Sequence, residues 1–146
     1  GSSDMYYKGS LMLHTLRTLV DNDSLWFEII YDIANNFKFQ TIDGNEIINY
    51  IELKIGKELT PFFNQYLKQN KLPVFQYSLQ KSGRSTTLVF NWDAIENFNM
   101  PLLINTGTQD FWIYPTKETK EVDLGLFDIN EFSVRTDLMY VEVKKL

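Results

Sequence analysis

The spacing of apolar residues changes at Pro73, and this change constrains the fold more than any other feature of the chain. Before Pro73 the apolar residues recur at the three- and four-residue spacing of one α-helix face. After it they alternate with polar residues, which is typical of strands that bury one face. The sequence therefore predicts an α+β fold, with a helical segment over residues 1–72 and a small antiparallel β-sandwich over residues 73–146.

The first two helices are predicted from apolar stripes and from the residues that separate them. The first runs from about Tyr6 to Val20, and Asp23 is the expected N-cap of the second. The predicted buried faces carry Leu13, Leu16, Leu19 and Val20 in the first helix, and Trp26, Ile29, Ile30, Ile33 and Phe37 in the second.

The third and fourth helices have clearer boundary signals. An Asp43-x-x-Glu46 capping box, with Thr41 as the rival cap, precedes the third, and Gly56 ends it. Thr60-Pro61 opens the fourth, since proline fits the first helical turn. The predicted buried faces carry Ile47, Ile48, Ile51 and Ile55 in the third helix, and Phe62, Phe63, Tyr66 and Leu67 in the fourth.

Short strands separated by turn signals fill the second segment. The turns are predicted at Ser82-Gly83-Arg84, Thr106-Gly107-Thr108 and Asp128-Ile129-Asn130. About seven strands at this regular spacing favour an Ig-like sandwich.

Composition excludes several classes of function. The chain has 14 Lys and Arg, 19 Asp and Glu, a net charge of −5, one His and no Cys. Cysteine-based metal or nucleophile sites are excluded, and one histidine rules out a multi-His metal site within the chain. The acidic balance argues against nucleic acid as a partner. No apolar run approaches the roughly 20 residues that a membrane-spanning helix needs.

Two short segments of the sequence carry residue types that bear on chemistry. Asp4-Met5-Tyr6-Tyr7-Lys8-Gly9 lies at the predicted entrance of the first helix, where a tyrosine hydroxyl is able to donate a hydrogen bond to an oxyanion. The alternative is plain packing, with Gly9 permitting a close helix contact. The second string, Phe62 to Leu67 followed by Leu72-Pro73-Val74-Phe75, is interpreted as a core helix joined to a strand.

Together these strings resemble the aminopeptidase N family of zinc metallopeptidases, the gluzincins. Tyr6-x-Lys8-Gly9, followed by Leu13-His14 and Leu16-Arg17, is similar to the Tyr-x-Lys-Gly segment of that family. Further similar segments follow in order along nearly the whole chain: Asp21 to Asp23, Leu25 to Phe27, Thr41 to Gly56, Phe62 to Pro73 and Asn97 to Leu102.

The resemblance implies that the helical segment ends a thermolysin-like catalytic domain and that the chain is the C-terminal part of a zinc-dependent aminopeptidase. Tyr6 is then the catalytic residue that stabilises the oxyanion, while Tyr7, Lys8 and Gly9 are structural. The chain has no His-Glu-x-x-His. The resemblance therefore implies no metal ligand or cofactor here, zinc in the full-length parent, and an isolated chain that is inactive. Its implied partners are a peptide substrate, reached through the parent enzyme, and the N-terminal catalytic segment on which it packs.

Other interpretations remain open at this stage. His14 is interpreted as a helix contact or a polar edge residue rather than a metal ligand. The chain is alternatively a protein- or glycan-binding module, with Trp92, Trp112 and Tyr114 as its contact face. A catalytically dead peptidase-like scaffold is the third possibility.

Overall fold

A computed structural model describes the backbone of residues 2–36 and 44–146, and the side chains of residues 8–36 and 44–146. Four helices are followed by two small β-sheets, which confirms the predicted α+β fold class with a small β-sandwich. The chain divides into two compact units, Gly1–Thr60 and Pro61–Leu146. Most of the fourth helix thus belongs to the same unit as the strands.

Three helices form the first unit: α1 (Ser2–Val20), α2 (Asp23–Asn36) and α3 (Gly44–Ile55). Helix α1 begins at Ser2, earlier than the apolar spacing predicts, because its first turn carries polar residues that give no periodic signal. The buried apolar side chains of this unit are Leu16, Trp26, Ile29, Ile51 and Leu59. Phe37, Thr41 and Asp43, to which the sequence assigned a face position and two caps, lie outside the described residues.

The N-cap of α2 is Asn22, and the prediction of Asp23 was wrong. The Asn22 side-chain oxygen accepts a hydrogen bond of 3.1 Å from the Leu25 N–H, which is the bond that defines a capping residue. The Asp23 carboxylate instead accepts two bonds from the Arg17 guanidinium, at 3.0 and 3.1 Å. Those bonds lower the pKa of Asp23 and raise that of Arg17.

The end of α3 follows the prediction. Gly56 has φ = +75°, the left-handed conformation that a glycine after a helix adopts without strain. Its N–H donates to the Glu52 carbonyl over 2.8 Å, so the last turn is closed by a backbone bond.

Helix α4 (Thr60–Lys68) packs into the second unit through Phe62, Phe63 and Tyr66, as predicted. Leu67 was expected on the same face but is 59% exposed. Gln65 is buried instead of Leu67, because the N–H and the oxygen of its side-chain amide both form hydrogen bonds with the backbone. Its Nε2 donates to the Lys71 carbonyl over 2.9 Å, and its Oε1 accepts from the Ile95 N–H over 2.9 Å.

Seven strands complete the second unit: β1 (Val74–Ser82), β2 (Ser85–Asp93), β3 (Leu102–Asn105), β4 (Asp110–Ile113), β5 (Lys120–Asp123), β6 (Ser133–Val134) and β7 (Glu142–Lys145). One sheet has the order β5-β2-β1-β7 and the other β4-β3-β6. Every pairing is antiparallel except β1 with β7, which is parallel. The alternation of apolar residues predicts the buried face of β2, but such a pattern carries no information about strand direction.

The sandwich core contains large apolar side chains from several strands and loops. On β2 the residues Thr86, Leu88, Phe90 and Trp92 point inward, in the alternation the sequence predicts. Trp92 is only 1% exposed, and its indole N–H donates to the Met100 carbonyl over 3.0 Å. Trp92 is therefore a core residue, and its assignment to a contact face was wrong. Tyr114 is 63% exposed.

Candidate functional site

Tyr6 lies inside α1, in its second turn, rather than at the helix entrance. The difference arises because α1 begins at Ser2. The Tyr6 side chain is outside the described residues. Its role as an oxyanion donor therefore stays a prediction.

The backbone nevertheless fixes the side of α1 on which position 6 lies. Positions four, seven and eleven residues further along lie on the same side of a helix, and these are Ser10, Leu13 and Arg17. Ser10 and Leu13 are exposed. Thr15 lies on the opposite side and is fully buried. Position 6 therefore shares one side of α1 with Ser10, Leu13 and Arg17.

Gly9 is not used for a close contact among the described residues. A side-chain carbon built at Gly9 meets no other atom within 4 Å. A glycine inside a helix costs about 0.5–1 kcal/mol relative to alanine. The alternative interpretation of Gly9 as a close helix contact therefore finds no partner in the described part of the chain.

Helix α2 carries apolar side chains on two sides. Trp26 and Ile29 are buried, whereas Phe27, Ile30 and Tyr31 are 58%, 41% and 69% exposed. Ile30 was expected on the buried face, and that expectation was wrong. Phe27 and Tyr31 are four residues apart and Ile30 lies between them, so the three form one stripe. The sequence interpretation missed this stripe, although the four-residue spacing of two aromatic residues is visible in it.

The guanidinium of Arg17 connects α1 to this stripe. Its central carbon lies 5.2 Å from the centre of the Phe27 ring, within the range of a cation–π contact. The two bonds to Asp23 hold the guanidinium in this orientation. The exposed side of α1 and the outer stripe of α2 therefore adjoin.

A polar cluster joins α2 to α3 and was also missed. The Tyr50 hydroxyl donates to the Asp32 carboxylate over 2.6 Å, and Lys54 Nζ lies 3.5 Å from Glu28 Oε1 and from Asp32 Oδ2. The pKa of Tyr50 is raised mainly by its partial burial and, to a smaller extent, by its hydrogen bond to Asp32. The pKa of Lys54 is raised by its electrostatic interactions, the largest with Tyr50 and the next with Glu28. Because these donors and acceptors bond to one another, we interpret the cluster as a structural contact between α2 and α3.

The described residues do not form a zinc site. No three side chains of His, Cys, Asp or Glu converge among the described side chains of residues 8–36 and 44–146. His14 is exposed on α1, as expected for a polar edge residue. Zinc catalysis needs protein ligands together with an open position for water.

Comparison with known proteins places the fold. No family model matches this sequence, and no curated protein matches it. Among solved structures, the fold resembles part of an aminopeptidase. One similar structure is aminopeptidase A of Legionella pneumophila in complex with aspartic acid, with a TM-score of 0.72 and 13% identity.

The matched region makes up a different share of each of the two chains. It covers 94% of this chain but only 17% of the Legionella chain. At 13% identity the likeness shows a similar fold and nothing more. In the described part of this chain, no helix is both long and apolar enough to cross a membrane.

Proposed function

We propose that this chain is the C-terminal part of the peptidase unit of a zinc-dependent aminopeptidase that removes N-terminal residues from peptides. The observation that carries the proposal is the match of 94% of the chain to one part of an aminopeptidase. The similar sequence segments, in order from Tyr6 to Leu102, also support it.

The chemical contribution of this chain is one hydroxyl. When a peptide carbonyl is attacked, its oxygen becomes negatively charged, and a hydrogen-bond donor placed there lowers the barrier. The Tyr6 hydroxyl donates that bond in the proposed enzyme. One such donor typically contributes about 2.7–4 kcal/mol, or on the order of 10² to 10³ in rate.

The rest of the catalytic machinery lies outside this sequence. Zinc, held by other parts of the parent enzyme, supplies Lewis-acid chemistry and an activated water. The present chain contributes Tyr6, the helices that position it, and the β-sandwich. The 146-residue chain by itself is expected to be inactive.

The test uses the longest natural reading frame that contains this sequence. Zinc content and aminopeptidase kinetics are measured for the wild type, for Tyr6→Phe, and for Tyr7→Phe as the matched control. We expect Tyr6→Phe to retain zinc and lose about 10²-fold or more in kcat, while Tyr7→Phe stays near the wild type.

Other results of this experiment would favour one of the alternative functions. A zinc-free, inactive wild type indicates the peptidase-like scaffold. An active enzyme that is indifferent to the Tyr6 hydroxyl removes the residue from catalysis. The alternative of a binding module is still supported by the exposed Tyr114. It is no longer supported by Trp92, which is buried in the core.

A further inference from the structure

Strand β4 forms one edge of the three-stranded sheet. The order of that sheet is β4-β3-β6, so β4 pairs with β3 on one side and, among the described residues, with no strand on the other. An edge strand presents a row of backbone N–H and C=O groups, and proteins normally protect such edges against pairing with another chain. The residues of β4 therefore decide whether this edge accepts a further strand.

The other three edge strands of the two sheets carry the usual protection. Strands β5 and β7 each have three charged residues among their four, and β6 is only two residues long. Strand β4 has a single charged residue, Asp110, followed by Phe111, Trp112 and Ile113. Charged and very short edge strands discourage the addition of a strand, whereas an aromatic and nearly uncharged edge permits it. Strand β4 is therefore the least protected edge among the described strands.

The alternation of the β3–β4 ladder determines which backbone groups of β4 face the open edge. In an antiparallel pair, only every second residue exchanges backbone hydrogen bonds with the residue opposite. Leu103 lies opposite Trp112, but its carbonyl accepts a hydrogen bond of 3.0 Å from the Arg135 N–H, on the β6 side. The N–H and C=O of Trp112 therefore point away from β3, and those of Asp110 and Tyr114 do so by the same alternation.

Two copies of β4 fit each other in one antiparallel register. When Trp112 lies opposite Trp112 of the second copy, the outward-pointing residues meet in pairs, and Asp110 lies opposite Tyr114 of the second copy. The two Asp110 residues are then about 14 Å apart along the strands, so like charges do not face each other. The Tyr114 hydroxyl is able to donate to the Asp110 carboxylate, and opposed aromatic side chains stabilise a strand pair.

The side chains needed for this pairing are accessible. Tyr114 is 63% exposed, Asp110 is exposed and Trp112 is half-buried. The Asp110 carboxylate accepts bonds from Asn105 and Arg135, which fix its position at the end of the strand and leave it further lone pairs.

We propose that β4 pairs with β4 of a second copy of this chain about a twofold axis at Trp112, which joins the two three-stranded sheets into one of six strands. A second copy is the occupant that this edge specifies, because its outward-pointing residues are complementary to the same residues in reverse order. The contact is smaller than the roughly 1,200–2,000 Å² that stable complexes bury, so we expect a weak dimer. The pairing requires no catalytic role for Tyr6.

Two opposite charges at position 114 test the register without disturbing the core. Tyr114→Glu places a carboxylate opposite Asp110 of the second copy, whereas Tyr114→Lys places an ammonium group there. Sedimentation equilibrium is measured on the longest natural reading frame between about 1 and 500 μM, and circular dichroism checks that each variant is folded. We expect dimerisation of Tyr114→Glu to be at least about tenfold weaker than that of the wild type, and dimerisation of Tyr114→Lys to be no weaker.

Two results of this measurement overturn the inference. One is a wild type that stays monomeric throughout the concentration range. The other is a dimer that responds alike to Tyr114→Glu and Tyr114→Lys, because the contact then lies on another surface or in another register.

Disulfide formation provides a second test, since the 146-residue sequence contains no cysteine. Asp110→Cys and Tyr114→Cys are made separately, with cysteines elsewhere in the longer reading frame replaced by serine. The two proteins are oxidised alone and as a mixture, and cross-linked dimers are separated by electrophoresis without reductant. In the proposed register, Cα atoms of opposite residues lie within the roughly 4.4–6.8 Å that disulfides span, whereas identical cysteines are about 14 Å apart.

We expect at least about five times more cross-linked dimer in the mixture than in either protein alone. Equal cross-linking in all three samples overturns the proposed register. A mixture that forms no cross-linked dimer at concentrations of about 100 μM or more overturns the strand pairing itself.

Discussion

The hydroxyl of Tyr66 donates a hydrogen bond of 2.7 Å to the backbone carbonyl of Tyr140, which lies 74 residues later in the chain. Tyr66 is only 2% exposed, and burial raises the pKa of its hydroxyl, which therefore stays protonated as a donor. This bond links α4 to the segment that leads into β7. It therefore connects α4 to the edge of the sheet where β7 pairs in parallel with β1.

Tyr66→Phe removes this donor and leaves the Tyr140 carbonyl without it. We expect a loss of about 1–2 kcal/mol in the free energy of unfolding, measured by urea denaturation. Tyr114→Phe, at an exposed tyrosine, is the control and should change the value by less than about 0.5 kcal/mol. Equal effects of the two substitutions would contradict the assigned role of the Tyr66 bond.

Thr86→Val is expected to stabilise the protein. Thr86 is fully buried, and its hydroxyl oxygen has no hydrogen-bond partner among the described residues. A buried polar group without a partner costs roughly 1–3 kcal/mol, and valine has nearly the same shape. We expect a gain of about 1 kcal/mol in the same urea measurement.

The controls for Thr86 separate the hydroxyl from the methyl group. Thr86→Ser keeps the hydroxyl and removes a methyl group, so it should destabilise. Thr87→Val lies on the half-buried face of the same strand and should have a smaller effect. A loss of stability in Thr86→Val would mean that the hydroxyl has a partner in solution.

Gly107→Ala is expected to destabilise more than Gly125→Ala. Both glycines have positive φ, at +101° and +76°, so alanine is strained at either position. At Gly107 an added carbon also lies 2.8 Å from Cβ of Glu131, while at Gly125 it meets nothing within 4 Å. We expect losses of about 2–3 kcal/mol and about 1 kcal/mol respectively. Similar losses in thermal or urea unfolding would argue against the close approach at Gly107.

The N-cap assignment is tested in the first unit. Asn22→Ala removes the side-chain acceptor of the Leu25 N–H and should cost about 1 kcal/mol, within the usual range for a lost cap. Asp23→Asn keeps a polar side chain and breaks only an exposed ion pair, so its cost should be smaller. The measurement is the helical circular dichroism signal followed through urea unfolding. A larger loss from Asp23→Asn would restore Asp23 as the cap.

The pH dependence of stability is assigned in part to Asp110. Its carboxylate accepts bonds from Asn105 over 2.8 Å and from Arg135 over 2.7 Å, and these bonds lower its pKa below the ordinary value. A carboxyl group with a lowered pKa in the folded state stabilises it fully above the unfolded pKa near 4, and this stabilisation is lost as the pH falls through the folded pKa.

Asp110→Asn should therefore cost stability at pH 7, and the difference from the wild type should shrink as the pH falls below the unfolded pKa near 4 and through the lowered pKa of the folded state. The side chain is 40% exposed, so the cost is expected to stay below about 1 kcal/mol. Urea unfolding across this pH range measures it, with Asp93→Asn at an exposed position as the control. A difference that is constant with pH would exclude a role for the Asp110 charge.

Some features follow from the sequence because they depend on neighbouring residues. The change from helical spacing to alternation at Pro73 predicted where helices give way to strands, and Gly56 and Gly83 predicted a helix end and a hairpin turn. Periodicity and turn chemistry act over a few residues, so these signals are complete within the local sequence.

Other features were decided only by contacts between distant residues. Gln65 is buried because the backbone atoms of Lys71 and Ile95 satisfy its amide. Strand β7 lies parallel to β1, although its own alternation is compatible with either direction. Helix α2 carries large apolar residues on both its buried side, with Trp26 and Ile29, and its exposed stripe, and only packing distinguishes the two.

Local sequence was therefore enough to predict the fold class, the end of α3 at Gly56 and the hairpin turn at Gly83, and it named Tyr6 as a residue to test. The tertiary structure decided which of two apolar helix faces is covered, which strand closes the sheet, and where position 6 lies on α1. The physical reason is that hydrophobic burial is non-directional, so an apolar pattern states that a face is to be covered but does not name the surface that covers it.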